Sequence, residues 1–96
     1  MRLSRAEIAA IKESAREVFG DDVVVRLFGS RVDDARVGGD IDLMVETHSG
    51  GLPKELEFNL ALIKRIGERK IDILVRDLSQ PLAPIEKIAI RDGVIL

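Results

Sequence analysis

Leu27-Phe-Gly-Ser-Arg-Val-Asp-Asp-Ala-Arg-Val-Gly-Gly-Asp-Ile-Asp-Leu-Met-Val-Glu46 is the stretch on which the reading of this chain turns. It begins inside an apolar run, Val23 to Phe28, whose valines favour a strand, and Gly29-Ser30-Arg31 ends that run. Nine residues separate Ser30 from Asp40, and Asp40-Ile41-Asp42 opens a second apolar run. Residues two apart in a strand share a face, so Asp40 and Asp42 should point the same way, roughly 6.5–7 Å apart along the chain. Ile41, Leu43 and Val45 then take the other face and the core. Carboxylates brought together on one surface repel unless a cation lies between them. Their hard oxygens suit Mg²⁺, which is often held by one or two carboxylates plus the phosphates of a substrate.

Gly29-Ser30 forms the complementary half. A glycine leaving a strand lets the backbone approach a ligand closely, and a serine at a following helix start sets a hydroxyl beside free N–H groups. Phosphate oxygens are the expected guests of such a turn. Arg31, next in sequence, can reach a phosphate or pair with Asp33 or Asp34.

Around this stretch the chain is short and soluble in character. Its 96 residues, 46% hydrophobic and 33% charged, are enough for a single domain with one core, 1–96. No apolar run approaches the ~20 residues of a membrane span, and Met1-Arg2-Leu3-Ser4-Arg5 lacks the apolar centre of a signal peptide. The expectation is a cytoplasmic protein that does not enter membranes. Without cysteine there is no disulfide framework, and one histidine, His48, makes no zinc site. A net charge of −2 argues against direct nucleic-acid binding, which needs a basic face. The chain contains no tyrosine and no tryptophan, and its three phenylalanines leave little for stacking successive bases.

Helices and strands alternate along the sequence. Ser4-Arg5-Ala6-Glu7 reads as a capping box, followed by Ile8, Ile11, Ala15 and Val18 at helical spacing until Gly20. Pro53 suits the first turn of a second helix, whose stripe Leu56, Leu60, Ile63 and Gly67, widened by Phe58, Leu62 and Ile66, should be largely buried. Ile71, Ile73 and Val75 alternate as a third strand and leave Asp72 on the opposite face, a third carboxylate if that strand neighbours the second. Lys70 and Arg76 flank this strand. Ile85, Ile88 and Ala89 mark a short third helix, and Val94-Ile95-Leu96 an edge strand or a docked tail. The pattern implies an α/β (α+β) two-layer fold, a small mixed sheet with helices over one face.

Gly-Ser, a short spacer, then Asp-x-Asp on a strand resembles the signature of the DNA-polymerase-β-type nucleotidyltransferase superfamily. Within it, a chain of this length is most similar to the minimal nucleotidyltransferase (MNT) antitoxins of HEPN toxins, over about Val23 to Val75. The resemblance implies the nucleotidyltransferase fold and a metal and catalytic set of Asp40, Asp42 and Asp72. It also implies a nucleotide site at Gly29, Ser30 and Arg31, two Mg²⁺ ions, and ATP as substrate. The implied partner is a HEPN-type toxin, AMPylated on a tyrosine, and a homo-oligomer is compatible with the pattern. Two departures stand out: the spacer is short, and Gly39 precedes the first aspartate where a serine is frequent. Neither removes a metal ligand.

Blander readings use the same residues. Asp40 and Asp42 can be solvated on an open sheet face, Gly29-Ser30 a plain tight turn, and Asp72 the partner of a surface cation. Two other function classes also fit. One is a non-catalytic antitoxin or interaction module that neutralises a partner by binding; the other is a small-molecule nucleotidyltransferase.

Overall fold

The computed structural model describes residues 3–29, 41–48, 51–68 and 70–96. The first helix, α1 (Arg5–Phe19), starts where its cap directs. Ser4 Oγ accepts from the Glu7 backbone N–H at 3.1 Å, and Glu7 Oε1 accepts from the Ser4 N–H at 3.0 Å. Gly20, at φ 102°, ends it with its N–H donating to the Arg16 carbonyl. Four strands follow in a mixed sheet of order β3-β2-β1-β4: β1 (Val24–Phe28), β2 (Ile41–Thr47), β3 (Ile71–Asp77) and β4 (Val94–Ile95). β1 runs antiparallel to β2 and to β4, whereas β2 and β3 are parallel. A parallel pair needs a crossover, and α2 (Leu52–Ile66) supplies it between β2 and β3. The last helix, α3 (Pro84–Asp92), leads into β4, where the Leu96 N–H donates to the Val25 carbonyl at 2.9 Å.

β2 sits inside the sheet, and Ile41, Leu43 and Val45 are buried against α1 and α2 as their alternation implies. Ile11, Ala15, Val18 and Phe19 of α1 join Phe58 and Leu62 of α2 in one core with Val25 and Leu27. Phe19 and Phe58 meet edge to face with ring centres 5.6 Å apart. Ile71, Ile73 and Val75 close the same core from the edge strand. Among the described residues no helix is long and apolar enough to cross a membrane.

Two expectations need correction. The α2 stripe of Leu56, Leu60 and Ile63 is not the buried one: Phe58, Ala61 and Leu62 are buried, while Leu56 and Leu60 stay exposed. Cationic residues set this rotation. Lys54 Nζ donates to the Val18 carbonyl at 3.0 Å, and Arg65 donates to Ser14 Oγ at 3.2 Å and Glu17 Oε2 at 2.7 Å. That hydrogen bond and the adjacent guanidinium charge hold the Glu17 carboxyl below its usual range. The helices are also not all on one face. α1 and α2 cover the core side, but α3 lies against the other: Glu86 Oε1 is 3.9 Å from Arg76 Nε, and Gly93 packs on Phe28. Of the stripe expected on α3, Ala89 is buried, whereas Ile85 and Ile88 remain largely exposed.

Candidate functional site

The second sheet face, opposite the α1–α2 layer, carries the acidic residues. Strand period two puts Asp42 there, because Ile41 and Leu43 on either side of it are committed to the core. Asp72 is turned the same way by Ile71 and Ile73. The parallel register then pairs them: Asp42 lies directly beside Asp72 on adjacent strands, about 4.8 Å being the usual strand spacing. On its other side Asp42 is the partner of Phe28, the last residue of β1. One cross-section of the sheet thus reads Phe28, Asp42, Asp72, at the end where β1 finishes and β2 and β3 begin.

Gly29 completes this end. Its φ of 74° is left-handed, and a Cβ there would overlap Asp42 Oδ2 and lie 3.0 Å from Asp42 Cγ. The Asp42 carboxylate therefore stands against the Gly29 backbone, a place only glycine leaves open. Gly29 and the strand carboxylate, 13 positions apart by numbering, form one surface. The start of β2 is fixed from β3, since the Ile41 N–H donates to the Lys70 carbonyl at 3.1 Å.

Asp42 is half-buried and Asp72 exposed, so both carboxylates are within reach of a ligand. Ser30, Arg31 and Asp40 lie outside the described residues. Among the described residues no group of three or more His, Cys, Asp or Glu could hold a metal ion. Asp42 and Asp72 provide two acidic side chains from neighbouring strands. An all-oxygen pair fits Mg²⁺ and does not fit a soft metal.

Arg76 and His48 lie apart from the acidic pair. Arg76 stands beside Glu86 of α3, its Nε 3.9 Å from Glu86 Oε1, both side chains being largely buried. His48 is exposed near Asp77, whose carboxyl is held low chiefly by hydrogen bonds from the Ser79 hydroxyl and N–H, with a smaller contribution from His48. A pairing that sequence reading missed lies on the same face: Arg26 Nε is 3.2 Å from Glu46 Oε1, with both side chains mostly buried. Arg26 is paired with Met44, which makes Glu46 its diagonal neighbour across β1 and β2, and the register that brings the two charges together is not written in either strand alone. The groove lined by Leu52, Glu55, Ile73 and Val75 opens between α2 and the sheet edge, away from the carboxylate face.

No protein-family model matches the chain, and no curated protein matches it either.

Proposed function

We propose that this chain is a Mg²⁺-dependent nucleotidyltransferase that moves a nucleoside monophosphate, AMP from ATP, onto a hydroxyl of a partner protein. The observation that carries the reading is the register placing Asp42 beside Asp72, with the Gly29 backbone packed on Asp42. Together with the Gly-Ser and Asp-x-Asp spacing, it gives an acidic pair next to a glycine turn at one strand end. The nucleotidyltransferase fold, with Asp40 as the third acidic ligand, belongs to the same proposal.

In this reading Asp40, Asp42 and Asp72 would hold Mg²⁺, whose charge would offset that of the nucleotide phosphates and favour the ionised form of the acceptor hydroxyl. Gly29, Ser30 and Arg31 bind the β and γ phosphates and orient the α-phosphorus. Asp72, on the outer strand, faces the side from which the acceptor arrives. The acceptor oxygen forms a bond to the α-phosphorus, the bond to the β-phosphate oxygen breaks, and pyrophosphate departs. The hydroxyl proton passes to solvent. Positioning and charge neutralisation do most of the work in such transfers. Since the chain has no tyrosine, a tyrosine acceptor must lie on a partner, and the resemblance to MNT proteins names a HEPN-type toxin. The protein would then act as the antitoxin of that pair.

The test is transfer of label from α-phosphate-labelled ATP and Mg²⁺ to proteins in a lysate of the source cell. Wild type should label a discrete band and Asp42→Asn should not, with its fold unchanged by circular dichroism. Absence of a band with every common nucleoside triphosphate would overturn the reading, as would a folded, active Asp42→Asn variant.

A further inference from the structure

α2 carries more apolar surface than its own domain uses. Leu52, Leu56 and Leu60 are 65%, 56% and 63% exposed, although the same helix buries Phe58, Ala61 and Leu62 on its inner side. Ile63, half-buried, continues the outer stripe. Leu56, Leu60, Ile63 and Gly67 follow the four-three-four spacing of a helix–helix seam. Below the helix a groove at the edge strand β3 is lined by Glu55, Leu56, Asn59, Ile71 and Ile73.

We propose that this face joins two copies of the chain, α2 packing antiparallel on α2 of the second copy about a two-fold axis near Leu60. The charges beside the seam select this occupant. Glu57 and Lys64 are seven residues apart and so lie on the same flank of the helix. In an antiparallel pair like flanks meet. With the axis at Leu60, Glu57 of one copy falls within one residue of the level of Lys64 of the other, and symmetry repeats the pair. Leu56 likewise falls within one residue of the level of Ile63 of the second copy, and Leu60 meets its own counterpart. The axis lies near the middle of Leu52–Ile66, so nearly the whole ~22 Å helix is used. A second copy sets these opposite charges against each other, whereas a partner of unrelated sequence imposes no relation between them; within its own chain Lys64 also lies near Glu17. The face lies on the α1–α2 side of the sheet, so the dimer leaves the Asp42–Asp72 surface open. The proposal does not depend on the reaction assigned above.

The experiment is sedimentation of the full chain over a dilution series, with light scattering for mass. Wild type should approach twice the 10.6 kDa chain mass at high concentration and dissociate on dilution. Leu60→Glu should be a folded monomer by circular dichroism. Glu57→Lys turns two attractive pairs repulsive and should weaken association about tenfold, while Glu57→Lys with Lys64→Glu should restore it. Residues seven apart on one helix do not touch, so this rescue must act between copies. A wild-type chain that stays monomeric throughout overturns the proposal and leaves the face to a different protein. A dimer that survives Leu60→Glu, or a double charge swap without rescue, overturns it too. Should Leu60→Glu fail to fold, the charge-swap series decides.

Discussion

At Gly29 the backbone turns through φ 74° and meets the Asp42 carboxylate, so one residue links the glycine turn to the acidic strand. The sequence shows that this glycine leaves a strand and permits a close approach. What it approaches depends on strand pairing, which brings Phe28 opposite Asp42 and cannot be read from one strand alone. Gly29→Ala is therefore a sensitive substitution. The left-handed backbone alone costs about 1–2 kcal/mol for an L-residue, and the Asp42 carboxylate must also move. We expect a lower thermal midpoint together with weaker nucleotide transfer. An alanine variant with wild-type stability and activity would contradict the close packing. Asp42 and Asp72 were legible because strand alternation leaves an aspartate between core isoleucines and leucines no other face. Ser30, Arg31 and Asp40, expected beside them, fall outside the described residues.

For the elements, α2 shows where periodicity runs out. Its sequence is apolar around most of its circumference, so Leu56-Leu60-Ile63 and Phe58-Ala61-Leu62 are both plausible inner stripes. Long-range polar contacts decide between them, Lys54 to Val18 and Arg65 to Ser14 and Glu17, and such contacts leave no periodic signature. The rotation can be tested by unfolding in urea at low protein concentration. Phe58→Ala should cost about 3–5 kcal/mol, the range for truncating a buried aromatic. Leu56→Ala should stay within about 0.5 kcal/mol, as exposed substitutions do. Equal losses at the two positions would show that the helix sits differently. α1 was the more legible helix, because its capping box and its single apolar stripe agree.

In the molecule as a whole, alternating helices and strands implied a small mixed sheet with a helical layer, and that architecture is present. The placement of α3 was not legible. A short amphipathic helix states that it packs but not on which face; its tie to the second face, Glu86 to Arg76, joins residues ten positions apart by numbering. This second face is mixed: Phe28, Met44 and Leu74 share it with Arg26–Glu46 and Arg76–Glu86 toward one end and Asp42–Asp72 at the other. Arg26–Glu46 ties β1 to β2 within the sheet, and Glu86 of α3 stands beside Arg76. The most direct measurement compares label transfer from ATP by wild type, Asp42→Asn and Asp72→Asn, each first shown to unfold at the wild-type temperature. If the proposed function holds, losing a carboxylate that would hold Mg²⁺ removes several kcal/mol of transition-state stabilisation, and each variant should fall by about a thousandfold or more. A folded Asp72→Asn variant that transfers label at the wild-type rate would contradict a shared acidic centre on β2 and β3.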